Sequence, residues 1–541
     1  MSDERTPKSD RKAPNRIDRR RFFGGAAALT VGSLAAPPAL AQVGTAQADS
    51  TARTGTANEQ LEAQTRRILR WAGREPADWV RPRAGADHNV VIVGGGQSGV
   101  AIAYGLRRKG VGRVDVIDQA EPGQAGIWRT IARMHQLRTP KTMPGPEQGN
   151  VALGFRAWFE TLNGPEAFDA LDRIPRLAWA DYLAWFQQTT DTKVRYRTRL
   201  IEIEPQGDLL RLHLDVEGTQ RVETTRKVVL ANGYAGAGGP SIPGFMRALP
   251  ANVWMHTTGR IPFETFKGKV IGIVGAGSNA FDAAGVALEA GAAEVHIFNR
   301  RAFIDYQAPA PQTPPAQPAP PVDRGHANML ELTYELPDVI RWRNFLAGER
   351  RVASVPLDSL ERAVAFKGCH IHQSTSLSDA AMAGNKITAK AGRKTMRFDY
   401  LIAGTGYRID LAAQPELKRV HEHVALWLDR FKPAPGDENE AGAAHPYLGA
   451  GFEFLPRANT GAEYLRNIHC FNLAAALSFG IPVGDVPSTV DHPRLVQAIA
   501  RDLYVEGIDI EAHKRFVGLP QVAPSPAPYQ RAVEGGMKGA A

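Results

Sequence analysis

The chain has 541 residues, of which 43% are hydrophobic and 22% are charged. These values are ordinary for a globular protein with two or three domains, each with its own hydrophobic core. Of the net charge of +9, residues 1–41 supply +4, because eight Lys or Arg and four Asp or Glu lie there. The rest of the chain carries no basic run interleaved with aromatic residues, so the charge gives no support for nucleic-acid binding.

The first 41 residues have the pattern of a twin-arginine export signal. Arg19 and Arg20 lie in the segment DRRRFFG, a Gly/Ala-rich apolar run follows, and residues 39–41 form an A-x-A cleavage site. The alternative is an N-terminal membrane anchor, but the apolar run is short and rich in glycine for a membrane span. We therefore expect recognition by the twin-arginine export machinery and a periplasmic or otherwise exported location.

Residues 42–87 are predicted to form a linker and a short helix. Residues 42–58 are small and polar, which is typical of a disordered linker. The spacing of Leu61, Ile68, Leu69 and Trp71 indicates an amphipathic helix over residues 59–71.

Residues 90–118 have the pattern of a dinucleotide-binding unit. Four β-branched residues, 90–93, predict a buried strand, and a glycine-rich turn and a helix follow. Asp118 ends the next apolar run, where a carboxylate can accept hydrogen bonds from a ribose. The turn and the start of the helix should hold a pyrophosphate at the positive helix terminus; these residues are Gly94, Gly96, Gln97, Ser98 and Gly99.

Residues 126–230 are expected to complete the first domain. Gly126, Ile127 and Trp128 follow the first unit, and Trp128 is a candidate contact for the nucleotide. The aromatic face of residues 179–186 is interpreted as hydrophobic core rather than as a cofactor site. Residues 227–230 predict a buried strand that ends on a glycine turn and returns to the first sheet.

A second dinucleotide-binding unit begins at residue 270. The strand 270–274 leads into Gly275, Gly277, Ser278, Asn279 and Ala280, with Ala280 small enough to replace the third glycine. Gly94 and Asp118 are separated by 24 positions, as are Gly275 and Asn299. The two units therefore have the same predicted length from turn to second strand end.

The second strand ends differ in charge, which predicts different nucleotides. Where the first unit has Asp118, the second has Asn299 followed by Arg300 and Arg301. A carboxylate would repel a 2'-phosphate, whereas a guanidinium would bind it. We therefore expect FAD in the first unit and NADPH in the second.

The remaining pattern predicts that the second domain is inserted in the first. Seven of the thirteen residues 309–321 are proline, which predicts an extended loop. Residues 399–407 again form a strand that ends on a glycine turn, with Thr405 and Gly406 in the turn. The expected domains are FAD-binding (88–265 and 399–519) and NADPH-binding (266–398), with a loose tail at 520–541. The expected fold is α/β, with two Rossmann-like dinucleotide-binding domains.

These motifs together resemble the two-dinucleotide-domain flavoprotein monooxygenases, a group that includes flavin-containing monooxygenases, Baeyer-Villiger monooxygenases and amine N-hydroxylases. The resemblance runs from about residue 89 to about residue 504 and rests on the two units and on the segments GIW at 126–128, ANG at 231–233, WMHT at 254–257 and AGTGY at 403–407. It implies that NADPH reduces FAD, that a flavin C4a-peroxide forms with O2, and that one oxygen atom enters a small organic substrate. The alternatives are an NADPH-dependent flavin oxidase or dehydrogenase and a non-enzymatic flavin-bound redox sensor.

The sequence departs from each subfamily, so the resemblance implies the class and not the substrate. Residues 249–251 (LPA) stand where a Baeyer-Villiger fingerprint has Phe and Gly, and residues 137–141 lack the Asn of flavin-containing monooxygenases. The segment MHQ at 134–136 is closer to an N-hydroxylase pattern. Candidates for the flavin face are Gln136, Arg138 and His256, and each of them is also compatible with a structural role.

The sequence gives little indication of dithiol, metal-site or hydrolase chemistry. Cys369 and Cys470 lie 101 residues apart without a C-x-x-C motif, which excludes dithiol chemistry of the thioredoxin-reductase type. His370 and His372 would share one face of a strand, but no acidic or cysteine partner stands at ligand spacing, so no metal site is expected. No G-x-S-x-G motif is present for a hydrolase.

Overall fold

The computed structural model describes residues 50–307, 331–350, 354–480, 491–518 and 524–530. The chain divides into two compact units, Met1–Gly55 and Thr56–Ala541, and all strands below belong to the second. In the described ranges, no helix combines the length and the apolar character that a membrane span needs. The helices are α1 (Ser50–Ala72), α2 (Gln97–Arg108), α3 (Phe155–Asn163), α4 (Pro165–Asp169), α5 (Arg176–Thr189), α6 (Gly244–Arg247), α7 (Ser278–Glu289), α8 (Asp338–Arg350), α9 (Leu357–Val364), α10 (Trp427–Arg430), α11 (Glu440–Ala443), α12 (Ala476–Phe479), α13 (His492–Glu506) and α14 (Ile510–Val517).

The strands form two main sheets and several small ones. In chain order they are β1 (His88–Val93), β2 (Val114–Ile117), β3 (Gln136–Pro140), β4 (Arg173–Pro175), β5 (Thr198–Gln206), β6 (Leu209–Val216), β7 (Thr219–Gly233), β8 (Gly238–Pro240), β9 (Trp254–His256), β10 (Val270–Val274), β11 (Glu294–Phe298), β12 (Tyr306–Gln307), β13 (Val355–Pro356), β14 (Cys369–His372), β15 (Leu377–Ala383), β16 (Lys386–Ala391), β17 (Lys394–Phe398), β18 (Tyr400–Ala403), β19 (Tyr407–Ile409) and β20 (Ile468–Asn472).

The first sheet has a parallel centre formed by β2, β1, β7 and β20. Val90 lies opposite Val114 on one side and Lys227 on the other, and the side chains of Val90, Val91 and Ile92 are fully buried. Runs of β-branched residues are typical of strands covered on both faces. This sheet confirms the predicted first Rossmann-like domain.

An antiparallel extension of the first sheet was not predicted. The 15-residue strand β7 pairs with β6 through its first half and with β1 and β20 through its second half. β5 then pairs with β6 at the outer edge. Half-exposed antiparallel strands alternate polar and apolar residues, a weaker signal than the continuous apolar runs of the parallel centre.

The second sheet is parallel, with the order β14-β11-β10-β18-β9, and it confirms the second Rossmann-like domain. The predicted boundaries at 266 and 398 are too narrow, because both β9 and β18 belong to this sheet. Leu401 of β18 lies opposite Trp254 of β9. A three-residue strand such as β9 is too short to show a periodic pattern in the sequence.

The two crossings between the domains lie side by side. β8 leaves the first domain and β19 returns to it, and they pair as an antiparallel ribbon in which Tyr407 lies opposite Pro240. The rings of Tyr234 and Tyr407 stack beside this ribbon, with their centroids 4.9 Å apart. The second domain is therefore inserted in the first through a paired connection.

A cluster of aromatic side chains covers one side of the first domain. Trp179, Tyr182 and Phe186 of α5 are buried there with Trp128 and with Leu61 and Ile68 of α1. The interpretation of the α5 aromatic face as hydrophobic core is confirmed.

The predictions for the N-terminal region are tested only from Ser50 onward. Helix α1 begins at Ser50, so the expected linker over residues 42–58 is wrong for its second half. Residues 50–58 are mostly Thr, Ser, Gly and Asn, which are weak helix formers, so their own propensity predicts no helix, and they extend the amphipathic helix that follows. The signal at 1–41, the loop at 309–321 and most of the tail at 520–541 lie outside the described residues.

Candidate functional site

The turn between β1 and α2 requires glycine at two positions and brings a third glycine close to the backbone of another segment. Gly94 has a φ of +114°, and a Cβ there would lie 2.3 Å from the Ala231 carbonyl oxygen. A Cβ on Gly99 would lie 1.8 Å from the Gly94 carbonyl oxygen. Around Gly96, the nearest atom to an added Cβ is the Gly126 Cα, at 3.3 Å. Gly96 and Gly126 therefore approach each other backbone to backbone, and a side chain at Gly96 would press on the Gly126 backbone.

Two buried polar side chains stand at the N-terminus of α2. Gln97 Oε1 accepts hydrogen bonds from Trp128 Nε1 at 3.1 Å and Trp179 Nε1 at 3.2 Å. Gln97 Nε2 and Ser98 Oγ are buried and have no hydrogen-bond partner among the described residues. Buried polar groups normally have partners, and helix N-termini attract anions. These groups fit the pyrophosphate of FAD, and Trp128 contributes by orienting Gln97.

Asp118 lies directly beside this turn, at the end of β2. Its Oδ2 accepts a hydrogen bond from Gly95 N–H at 2.7 Å, and its Oδ1 accepts one from Ala120 N–H at 2.7 Å. A carboxylate has about four acceptor positions, so lone pairs remain for the hydroxyl groups of a ribose. The position of Asp118 fits the predicted FAD site.

The turn between β10 and α7 repeats this construction in the second domain. Gly275 has a φ of +102°, and a Cβ there would lie 2.3 Å from the Gly404 carbonyl oxygen. A Cβ on Gly404 would in turn lie 2.8 Å from the Ala280 Cβ, so Ala280 is packed as closely as its predicted role demands. Gly277 precedes α7 in an extended conformation, and the Ser278 hydroxyl donates to the Ser354 carbonyl.

The end of β11 presents two exposed guanidinium groups. Asn299 is buried, and it accepts a hydrogen bond from Arg301 N–H at 3.1 Å and donates to the Phe303 carbonyl at 2.8 Å. Arg300 and Arg301 are exposed, and in the described parts of the chain neither side chain forms an ion pair. The Asn299 side chain therefore shapes a turn that leaves both arginines available to a 2'-phosphate.

Arg138 connects the two domains. Its Nη2 donates to Asp282 Oδ2 at 2.7 Å and to Asn279 Oδ1 at 3.1 Å, both on α7. Asp282 is only 2% exposed and also accepts a hydrogen bond from the Ser359 hydroxyl at 2.7 Å. Removing one partner of a buried ion pair leaves an uncompensated charge. Arg138 and Asn279 thus lie together at the domain boundary, where they tie β3 to α7.

His256 lies at the end of β9, close to the returning turn. Its Nδ1 accepts a hydrogen bond from Thr258 N–H at 3.1 Å, and its ring meets Tyr407 edge to face at 5.8 Å. Burial lowers its pKa to about 4, although a hydrogen bond with the Gly406 backbone favours the protonated form. His256 is therefore neutral at pH 7. In the same turn, the Thr405 hydroxyl donates to the Ser241 carbonyl.

The three candidates for the flavin face do not form one hydrogen-bonded group in the described structure. Gln136 is half-buried in β3, opposite Pro175 of β4. Arg138 is bonded to α7, and His256 to the segment that follows β9. Their proposed contact with FAD remains a prediction.

Three further arginines lie at the same boundary, and no sequence motif indicated them. Arg133 donates to the Thr257 carbonyl at 2.5 Å and the Gly259 carbonyl at 2.8 Å, and Arg362 donates to the Arg133 carbonyl at 2.7 Å. Arg176 donates to the Met134 carbonyl at 2.9 Å. With Arg138 they form what we call the interdomain arginine cluster. Arg133 and Arg362 are 229 positions apart in sequence, so no local motif could reveal the cluster.

The interdomain arginine cluster carries more positive charge than its carboxylates balance. Asp282 pairs with Arg138, and Glu289 pairs with Arg362. Within the described ranges, Arg133 and Arg176 have no carboxylate partner in an ion pair. Burial lowers the pKa of Arg133 to about 10. Burial also lowers the pKa of Arg176, and the positive charges of Arg362 and Arg129 lower it further. Arg133 is still protonated at pH 7, so this boundary favours an anionic group.

A second buried polar network joins the ends of β7 and β20. Asn472 Nδ2 donates to Asn232 Oδ1 at 3.0 Å, and Asn232 Nδ2 donates to Glu416 Oε1 at 3.0 Å. Burial raises the pKa of Glu416. Because the carboxyl ends of parallel strands form the binding edge of such sheets, this network supports the FAD side of the site.

Comparison with known proteins agrees with this geometry. A family described as FAD-NAD(P)-binding matches residues 91–235, and one described as L-lysine 6-monooxygenase/L-ornithine 5-monooxygenase matches residues 168–307. An FAD-dependent urate hydroxylase of Xanthomonas campestris pv. campestris is 36% identical over 467 residues, which cover 85% of this chain and 95% of that protein.

Two solved structures show the same fold. L-lysine 6-monooxygenase from Pseudomonas syringae superposes with a TM-score of 0.57 at 17% identity and covers 78% of this chain and 100% of its own. The ornithine N-hydroxylase of Kutzneria sp. 744, solved with reduced FAD, NADP+ and L-ornithine, has a TM-score of 0.56 at 13% identity and covers 77% of this chain and 99% of its own. With the full-length relative and the two nucleotide cradles, these findings show that the chain belongs to the two-dinucleotide-domain flavoprotein monooxygenases, as an enzyme that uses FAD, NADPH and O2.

Proposed function

We propose that the substrate is a small anionic heteroaromatic compound of the urate type, which the enzyme hydroxylates. The observation that carries this proposal is the charge of the interdomain arginine cluster, in which Arg133 and Arg176 have no carboxylate partner among the described residues. The full-length relative, named as a urate hydroxylase, gives independent support.

The residues at the boundary between the two Rossmann-like domains have different roles. Reduced FAD, when bound, supplies the activated oxygen: one oxygen atom enters the substrate, the other leaves as water, and NADPH provides the two electrons. Arg133 and Arg176 attract the anion, since a guanidinium donates hydrogen bonds to planar anionic groups. The ion pair of Arg138 with Asp282 holds α7 of the second domain against β3 of the first. His256 is neutral at pH 7 and adds no further positive charge.

The second candidate is N-hydroxylation of an amine such as lysine or ornithine. The family match over residues 168–307 favours it. Such substrates carry an ammonium group, which the excess positive charge of the cluster would repel. Their carboxylate could still bind there, so the two candidates require a direct comparison.

The test compares substrates by how they couple NADPH oxidation to oxygenation. The purified FAD-loaded protein receives NADPH and O2 with urate, L-lysine or L-ornithine, and NADPH consumption and hydrogen peroxide release are measured together. We expect urate to accelerate NADPH consumption and to reduce the peroxide released per NADPH. Coupling with lysine or ornithine alone would favour the second candidate. Peroxide equal to NADPH with every substrate would favour an oxidase, and no NADPH oxidation would favour a redox sensor.

A matched pair of variants links the result to the cluster. In Arg176→Gln, the Michaelis constant for urate should rise, because one charged hydrogen-bond donor is lost, while NADPH oxidation without substrate stays similar. Arg199→Gln is the control, because Arg199 is an exposed residue of β5 that pairs with Asp215. Equal behaviour of the two variants would remove the arginine cluster from the argument.

We also propose that the protein is exported by the twin-arginine machinery. The supporting observation is the RRRFFG segment followed by an apolar run and an A-x-A site in residues 1–41. In the double variant Arg19→Lys/Arg20→Lys, folded and flavin-loaded precursor should remain in the cytoplasm. Normal recovery outside the cytoplasm would contradict the proposal, and an uncleaved product that requires detergent would indicate a membrane anchor.

A further inference from the structure

Three histidines and a glutamate share one face of two neighbouring strands in the second domain. β11 and β14 run in parallel, with His296 opposite His370 and Phe298 opposite His372. Residues two apart on a strand point to the same face, so Glu294 and His296 on β11 and His370 and His372 on β14 lie together. His296 and His372 are 76 positions apart, which explains why no ligand spacing was visible in the sequence.

The side chains are already within reach of a common ion. His296 Nε2 lies 3.0 Å from Glu294 Oε2, and one ligand atom each of Glu294, His296 and His370 lie within 4.8 Å of one another. The rings of His296 and His370 are nearly parallel, with centroids 4.8 Å apart. Tetrahedral zinc with bonds of about 2.0–2.1 Å separates its ligand atoms by about 3.3 Å. To bind one ion, the two imidazole rings must turn out of this stacked arrangement so that their nitrogen lone pairs point to the same place.

The other nitrogen of His296 has a suitable partner. His296 Nδ1 lies 3.0 Å from His372 Nε2, and the His372 ring stacks on Phe298 with centroids 4.7 Å apart. A metal-binding histidine commonly donates its second N–H to a fixed acceptor, which selects the tautomer that coordinates the metal.

We propose that Glu294, His296 and His370 bind a divalent transition-metal ion, zinc in particular, with His372 as the positioning residue for His296. Two imidazoles and one carboxylate suit zinc better than magnesium or calcium, which prefer oxygen ligands. Coordination through His296 Nε2 requires the tautomer that carries its proton on Nδ1, from where it is donated to His372 Nε2, and the bound ion would fasten β14 to β11. The site goes beyond the proposed oxygenation.

A second cluster, with one histidine and two carboxylates, differs in its charge balance. His88, Asp115 and Glu223 also lie within 4.8 Å of one another. There, Arg195 donates to Asp115 and Glu223 at 2.6 Å each, so a guanidinium already neutralises the carboxylates. Among the described residues, no arginine or lysine forms an ion pair with Glu294, and its carboxylate contacts His296 Nε2.

The test measures zinc binding to the FAD-loaded protein after removal of metals with EDTA. Isothermal titration with Zn²⁺, checked by metal analysis after dialysis, should give one site per chain in the wild type. His370→Ala and Glu294→Gln should lose this site. His372→Ala should bind about 10- to 100-fold more weakly, because its role is to orient His296. His513→Ala is the control, since His513 is an exposed histidine on α14.

The outcomes separate the proposal from a purely structural cluster. The absence of stoichiometric zinc binding to the wild type would overturn it. Binding that survives unchanged in His370→Ala and Glu294→Gln would also overturn it. Circular dichroism and flavin content confirm that each variant is folded, and none of these readouts depends on oxygenation of a substrate.

Discussion

Replacement of Arg300 and Arg301 should remove the preference for NADPH over NADH. Both side chains are exposed at the end of β11 and form no ion pair among the described residues, so their loss breaks no other described contact. A hydrogen bond to a charged group contributes about 1.5–3 kcal/mol. Loss of the phosphate-binding arginine should therefore weaken NADPH binding about 10-fold to 150-fold. NADH lacks the 2'-phosphate and should be little affected.

The assay is flavin reduction under anaerobic conditions, followed by flavin absorbance at a series of NADPH and NADH concentrations. It compares the wild type with Arg300→Ala, Arg301→Ala and the double variant, and Arg199→Ala serves as the control for a lost surface charge. We expect one single variant to carry most of the effect, because the other arginine can point to solvent. Equal use of both coenzymes by the wild type, or an NADPH preference retained by the double variant, would refute the assignment of this strand end.

Three further perturbations follow from the structure. Gly96→Val should yield protein with little bound FAD, because its side chain would press on the Gly126 backbone, 3.3 Å from the added Cβ, and crowd the turn that is expected to hold the pyrophosphate. The control Gly348→Ala, with no atom within 4 Å of the added Cβ, should stay yellow; full flavin occupancy of Gly96→Val would contradict the FAD assignment. Asp282→Asn should destabilise the protein by about 1–3 kcal/mol, because it leaves the Arg138 side chain, which is 31% exposed, without its carboxylate. Urea unfolding measures this, and no measurable change would argue against the interdomain role. Burial lowers the pKa of fully buried His469 to about 4. The unfolded chain therefore takes up a proton first as the pH falls below about 6.5, and stability is lost between about pH 6.5 and pH 4. In His469→Gln the unfolding free energy should depend less on pH over this range, and an unchanged pH dependence would exclude His469 as a cause.

Much of the nucleotide-binding framework could be predicted because its determinants are local. Gly94 and Gly275 have positive φ angles, and a Cβ added to either would lie 2.3 Å from a backbone carbonyl oxygen. Such requirements are visible as glycines within a few consecutive residues of the sequence. The same holds for Asn299, whose side chain bonds to residues two and four positions further on.

The features that the sequence did not reveal depend on contacts between distant segments. The interdomain arginine cluster joins residues from both domains, and the histidine cluster joins β11 to β14. The exact domain boundaries depend on the pairing of β9 with β18, two short strands far apart in the chain. Periodicity and motif spacing carry no information about such pairings.

We propose that this enzyme transfers one atom of O2 to an anionic substrate of the urate type. The most direct measurement is a reaction with NADPH, urate and ¹⁸O2, followed by mass spectrometry of the product. We expect one ¹⁸O atom in the product and the other in water, with little hydrogen peroxide released. A product without ¹⁸O, or recovery of the consumed O2 as hydrogen peroxide with urate unchanged, would contradict it.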